Sequence, residues 1–265
     1  MSILSRFQRY YPGDKSSLIA KLKVVIEFIL IKFFNRFAYP NISLLKYMQE
    51  IEDVENKREF LIRYFASKND WRRMWESQPR ETKEQIESFY NEHDKDVWRQ
   101  VYLSHYGKAK RRYILMVTDI IANYSKNPQT KILDYGCGCG VYGNYLYQKG
   151  YRDIILADIK SGTFDFAQMA FDQELKFLKL DRPEPLTDNY DVVLLIDCLA
   201  HAFNPYDALR HVLDHLKPGG LLIVYYEHGV EFTHLATASL ERQKTMDFIY
   251  ENCRCLKKDE VFIKN

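Results

Sequence analysis

The chain has 265 residues, of which 46% are hydrophobic and 28% charged, and its formal net charge is +2. That composition excludes a disordered, collagen-like or disulfide-dense scaffold and fits one large folded domain, or a domain with a sizeable extension. So small a charge gives no field for holding nucleic acid, and the 20 tyrosines and 16 phenylalanines would need a basic stripe beside them to read as a base-stacking surface.

Residues 1–127 read as a helical N-terminal region. Its most hydrophobic stretch is 21–37, KLKVVIEFILIKFFNRF, interrupted by Lys21, Lys23, Glu27, Lys32 and Arg36. The uncharged runs fall well short of the roughly 20 residues that span a bilayer, and no small-residue cleavage site follows. Two readings stay open: a buried or docking helix, or a basic interfacial helix making peripheral membrane contact. Eight Lys/Arg against three Asp/Glu between Ser2 and Glu50 keep the second in play. Segments 43–65 and 82–102 mix apolar and charged residues at helical spacing. Breaks fall at Pro12-Gly13, Pro40-Asn41 and Ser77–Pro79. Tyr113–Tyr124 is an apolar helix that ends before a loop containing Asn127-Pro128.

From Lys131 the pattern changes. Short apolar runs at 131–135, 153–157, 176–180, 190–196 and 221–226 read as strands. Helical stretches near 141–149, 164–171, 204–216 and 240–251 separate or follow them. Lys217-Pro218-Gly219-Gly220 reads as a turn, and 253–256 with 261–264 as a closing hairpin. Repeated strand–helix alternation predicts an α/β fold over 128–265: a Rossmann-like, doubly wound, mostly parallel sheet. Cys137, Cys139, Cys198, Cys253 and Cys255 make an odd number with no secretory signal at the start, which predicts free thiols in a reducing, cytoplasmic compartment. Cys-x-Cys spacing is tighter than structural zinc sites use, so no metal site is expected.

Chemistry concentrates in 131–143, KILDYGCGCGVYG. A strand runs into glycines and then a helix, which lets the backbone turn tightly and approach a ligand. The frame Gly138, Gly140, Gly143 also spells G-x-G-x-x-G, so a dinucleotide such as NAD is a competing reading. Asp134 lies within the strand, two residues before Gly136. Asp158 ends the second strand, where a carboxylate can accept from both ribose hydroxyls. Leu180-Asp181 ends the third strand, Tyr190-Asp191-Val192-Val193 opens the fourth, and Lys217–Gly220 precedes the fifth.

This ordered set resembles the class I S-adenosylmethionine-dependent methyltransferases, in particular the small-molecule branch typified by the ubiquinone and menaquinone enzymes. The resemblance covers about residues 110–265. It implies S-adenosyl-L-methionine as cofactor and S-adenosyl-L-homocysteine as product. It makes Asp134, Tyr135, Gly136, Cys137, Gly138 and Gly140 the loop along the methionine part, with Cys137 and Cys139 as small loop residues. It places Asp158 and Ile159 at the ribose, Asp181 at the adenine amino group with Arg182 nearby, and Asp197 and Cys198 between cofactor and acceptor. The implied reaction is methyl transfer to an N, O, S or C nucleophile of a small molecule. The same motifs would serve alkyl transfer or cyclisation. A protein- or RNA-directed enzyme ranks lower, because Asp197-Cys198-Leu199-Ala200 stands where an Asn-Pro-Pro-Tyr-like motif would.

Ile196–Phe203, IDCLAHAF, resembles the quinone-type segment, but Ala200 replaces its second acid. If the segment is helical, Asp197 and His201 share a face, which could orient the imidazole as a general base. A histidine packed under the next helix is the other reading. His228, beyond the fifth strand, is a second base candidate or an exposed loop histidine. Too few residues follow the last helix to build a lid. That role therefore falls to the N-terminal region, with Trp98, Tyr102, Tyr106 and Arg112 as candidates and help from 228–239.

Overall fold

The structure, a computed structural model, describes residues 74–92, 108–171, 175–180, 186–226 and 235–265. A helical turn at 74–77 precedes helices α1 (Lys83–Glu92) and α2 (Lys108–Tyr124). There follow β1 (Lys131–Tyr135), α3 (Val141–Gln148), β2 (Asp153–Asp158), α4 (Gly162–Phe171), β3 (Lys176–Lys179) and β4 (Tyr190–Ile196). The chain continues through α5 (Pro205–Asp214), β5 (Leu216–Tyr225), α6 (Ala236–Asn252), β6 (Cys253–Lys257) and β7 (Val261–Lys264).

Local chemistry explains several starts. Thr82 and Gln85 cap α1 reciprocally: the Gln85 amide donates to Thr82 Oγ1 at 3.3 Å, and the Thr82 amide donates to Gln85 Oε1 at 3.2 Å. Asn204 caps α5 by accepting from the Asp207 amide at 3.1 Å, with Pro205 pre-set at the first helical position. Strand β4 is buried at Val192–Ile196 because both of its faces are covered.

The seven strands form one sheet in the order β3-β2-β1-β4-β5-β7-β6. The first five are parallel; β7 runs antiparallel to β5, and β6 antiparallel to β7. An NAD-type doubly wound sheet has the parallel order 3-2-1-4-5-6, so the wedged β7 separates this architecture from the dinucleotide reading. Alternation along the strands sends Ile132, Ile154, Val192 and Ile223 to a face covered by α2, α3 and α4. Leu133, Ile155, Val193 and Leu222 go to the face covered by α5 and α6. Ile114, Val117 and Ile121 of α2 are part of the first core.

Two expectations need correction. The Lys217–Gly220 segment does not turn between elements but lies inside β5. The β4–β5 register shifts between Tyr190 and Val192, and Gly219 at φ +74° absorbs the irregularity as a bulge. Helix α4 also begins at Gly162 rather than near Phe164.

Candidate cofactor and acceptor site

Strand order reverses between β1 and β4, and open parallel sheets bind ligands beyond the carboxyl ends of the strands at such a point. The glycine loop leaves β1 there. The Gly136 and Cys137 amides donate to the Ala157 carbonyl at 2.8 and 3.2 Å, tying the loop to β2. Gly136 has φ +73°, and a Cβ on it would lie 2.3 Å from Cys198 Cβ. The loop after β1 and the loop after β4 therefore touch through an atom that only glycine can omit. Gly143, the third glycine of the shifted frame, serves packing: a Cβ there would meet Leu156 at 2.4 Å.

Asp158 at the end of β2 organises the loop. Its Oδ2 accepts from the Gly138 amide at 2.6 Å and its Oδ1 from the Ile159 amide at 2.7 Å. Burial outweighs those two amides and pushes its pKa up to about 6. A carboxylate offers about four lone-pair sites, so both oxygens keep capacity for further donors. Asp134 is 1% exposed. Burial, and then the Asp158 charge, push its pKa to about 7, against a hydrogen bond from the Gly143 amide. Asp134 Oδ2 is buried with no hydrogen-bond partner among the described residues. Two raised carboxylates beside one loop form a site that favours a cation. Burial also pushes the Cys137 and Cys198 thiols well up, so both stay protonated small groups.

The segment after β4 is not the helix that would put Asp197 and His201 on one face. Asp197 sits at φ +61° with its amide bonded to the Tyr225 carbonyl at 3.0 Å, and only a short 3-10 turn, Leu199–His201, follows. Asp197 therefore does not take the helical backbone that would align it with His201, and Asp is among the few non-glycine residues that tolerate a positive φ. The histidine finds a different partner: His201 Nδ1 lies 3.4 Å from Tyr90 Oη on α1.

Tyr90 was not among the residues singled out from sequence. It reaches the site because α1 docks on the mouth of the sheet. Trp75, Ile86 and Phe89 form a small core with Leu235 and Ala238, flanked by Tyr90 and Phe203. Asp158 and Asp197 are near enough to Tyr90 to add to the rise that burial causes in its phenol pKa. The sequence signal for α1 is the helical spacing of apolar and charged residues over 82–102; no local signal foretells the pairing with His201. Tyr113 and Tyr225 add a further aromatic wall, their ring centroids 4.9 Å apart, and Tyr113 Oη is buried without a hydrogen-bond partner among the described residues.

The structure thus brings together Asp134, the 136–140 loop, Asp158, Ile159, Asp197, Cys198 and His201. Asp181, Arg182, His228, Trp98, Tyr102 and Tyr106 lie outside the described residues, as does the 21–37 helix. Arg112 belongs to α2, and its side chain is likewise outside the description. Among the described residues no group of three or more His, Cys, Asp or Glu could hold a metal ion. Nor is any described helix long and apolar enough to cross a membrane.

A family model described as a methyltransferase domain matches residues 105–254, more than half of the chain. The chain belongs to the class I S-adenosylmethionine-dependent methyltransferase family. This methyltransferase domain is 27% identical over 114 residues to a ubiquinone biosynthesis O-methyltransferase of Rickettsia typhi, covering 41% of the chain and 46% of that relative. It is 31% identical over 131 residues to a prosolanapyrone synthase of Alternaria solani, covering 42% of the chain and 5% of that relative. The chain therefore spans less than half the length of these curated relatives. Among solved structures, magnesium protoporphyrin IX methyltransferase from Synechocystis with S-adenosylmethionine bound aligns with a TM-score of 0.48 at 17% identity. That alignment covers 68% of this methyltransferase chain and 93% of the other.

Proposed function

We propose that the protein transfers a methyl group from S-adenosyl-L-methionine to an N, O, S or C nucleophile of a small molecule. The observation that carries this reading is the fit of the loop to a cationic cofactor. Among the described residues, one buried carboxylate oxygen of Asp134 has no partner, and nothing lies within 4 Å of where a Gly138 Cβ would stand. An orphaned buried acceptor beside an open cradle suits a ligand bearing an ammonium and a sulfonium. Asp134, Tyr135, Gly136, Cys137, Gly138 and Gly140 would line the methionine part. Asp158 and Ile159 would meet the ribose, Asp181 and Arg182 the adenine, and Asp197 and Cys198 the side facing the acceptor.

When bound, the cofactor supplies a methyl group already activated by its sulfonium. The chain's own work is then to hold the acceptor in line, exclude water and take up a proton where the attacking atom carries one. His201 is the group for that proton, and His228 is the second candidate. Residues 74–92, docked through Trp75 and Phe89, would cover the acceptor side. Residues 21–37 would bring the enzyme to a membrane surface if its acceptor is lipid-soluble.

Calorimetry and product analysis test this reading. S-adenosylhomocysteine should bind and NAD should not. Asp158→Asn should weaken cofactor binding roughly ten- to hundredfold, the scale of a charge-assisted hydrogen bond. Incubation with S-adenosylmethionine and a metabolite extract should release S-adenosylhomocysteine with a product one methyl heavier. Release of methylthioadenosine instead would replace methyl transfer by alkyl transfer.

A further inference from the structure

Two histidines one turn apart on α5 hold the backbone that leads into β4. The Leu186 amide donates to His211 Nε2 at 3.2 Å, and His215 Nδ1 meets the Asp188 carbonyl at 2.9 Å. Four residues apart, the two side chains share a face of the helix, with ring centroids 5.2 Å from each other. Leu186 is 1% exposed and belongs to the second core with Leu209 and Leu213 of the same helix. The Tyr190 amide donates to the His215 carbonyl at 2.8 Å, so β4 begins from this contact. The pair thus grips the segment 186–188 at both of its ends.

Backbone partners fix where the protons are. An amide N–H can only donate, so His211 Nε2 must carry a lone pair, and the neutral ring then has its hydrogen on Nδ1. A carbonyl can only accept, so His215 Nδ1 must carry a hydrogen, as it does in one neutral tautomer and in the cation alike. Protonation therefore acts unequally on the two bonds. The His215 bond survives it. A proton on His211 Nε2 sets two N–H groups face to face and leaves the Leu186 amide buried without this acceptor. Among the described residues, the titratable groups that act on the His211 ring are His215 and Asp214. Burial, and then the His215 ring, hold its pKa below the ordinary value, against the pull of the Asp214 carboxylate. On the gripped segment the charge is Asp188, whose carboxylate pairs with Lys131 at 2.8 Å. From β7, Lys264 donates to the Leu213 and Leu216 carbonyls beside the pair, at 2.6 and 2.7 Å.

We propose that His211 is a proton-sensitive latch on the segment leading into β4: its neutral ring holds Leu186 against α5, and its protonation frees Leu186 while His215 keeps Asp188. The proton comes from solvent and takes the Nε2 lone pair that the amide had used. The latch follows from the pattern of donors and acceptors and holds whatever group the site transfers. It loosens as pH falls. The raised carboxylates Asp134 and Asp158 act in the opposite sense, since the stability associated with them grows as pH falls.

The test is NMR of the full-length protein from pH 8 down through the His211 titration, following the His211 ring and amide hydrogen exchange on the same samples. The ring signals are assigned through the backbone resonances of His211. Corrected for the intrinsic pH dependence of exchange, Leu186 should lose protection roughly fivefold or more as His211 takes its proton, the scale of one net hydrogen bond. The amides of Val193 and Leu194 in β4 should keep or gain protection over the same range. In His211→Gln a side-chain oxygen can accept from the same amide without titrating, so Leu186 protection should stay level with pH. Protection of Leu186 unmoved through the His211 titration overturns the proposal, and so does a fall that persists undiminished in His211→Gln. A fall shared by Val193 and Leu194 would be general loosening and would overturn it too. The wild-type series decides even if the variant fails to fold.

Discussion

At the scale of single residues, the site depends on what glycine leaves out. Gly136 combines a left-handed backbone with a missing Cβ, and either alone would be costly to replace. The left-handed conformation costs an L-residue about 1–2 kcal/mol, and the would-be Cβ lies 2.3 Å from Cys198 Cβ. Gly136→Ala should therefore lower the melting temperature and weaken cofactor binding more than tenfold. Adding Cys198→Gly should restore part of the affinity, because it removes the clash and leaves only the backbone strain. Calorimetry on both variants checks this; no recovery in the double variant would show that the clash is not the main cost. The glycine loop, Asp134 and Asp158 were legible in sequence because their types are demanded locally, by a tight turn and by the end of a strand. The touch between Gly136 and Cys198 joins residues 62 apart, and no pattern along the chain encodes it. The conditional pairing of Asp197 with His201 on a helix face fails for the same reason: spacing shows the four-residue interval but not the φ of +61° at Asp197.

At the scale of elements, strands β1 and β4 were legible to the residue because buried parallel strands are unbroken apolar runs. Segment 217–220 was not, since Pro-Gly-Gly ordinarily punctuates a chain, and here the glycine makes a bulge inside β5 instead. Helix α1 was visible as a helix, but its docking site is tertiary. Its small core sits apart from the two cores flanking the sheet. Phe89→Ala should therefore release the helix without unfolding the domain. Truncating a buried aromatic usually costs about 3–5 kcal/mol, more than so small a core can lose. We expect the main thermal transition to move little while residues 74–92 gain hydrogen exchange and protease sensitivity. A large drop in the main transition would instead make α1 integral to the fold.

At the scale of the whole molecule, the raised carboxylates set a pH dependence. Asp134 and Asp158 titrate near 7 and 6 in the folded protein, above the ordinary carboxylate value of about 3.9. A raised folded pKa means that the folded state binds the proton more tightly. The associated stability is present at low pH and is lost as pH rises through about 6–7. Asp134→Asn should accordingly gain stability relative to wild type as pH is raised from 5 to 8, by denaturant titration. A gap that narrows over that range would contradict the assignment. On the proposed reading, cofactor binding would draw on the same groups. A cation favours the ionised carboxylates, so affinity should rise between pH 5 and 8, and calorimetry in buffers of different ionisation heat should register protons released.

The position of β7 has a consequence for how the sheet comes into being. In the order β5-β7-β6 the strand that is sixth along the chain bonds only to the seventh. Its neighbour is what joins it to the sheet, seated on β5 through Leu221–Ile223 and Val261–Ile263. The edge strand therefore joins the sheet only through a strand synthesised after it, and α6 takes Phe262 of that same strand into its core. Closing such a loop before its contacts form is an entropic cost that slows folding. In pulse-labelled hydrogen exchange during refolding, the amides of β6 should gain protection no earlier than those of β7; protection of β6 first would mean that it finds another partner on the way.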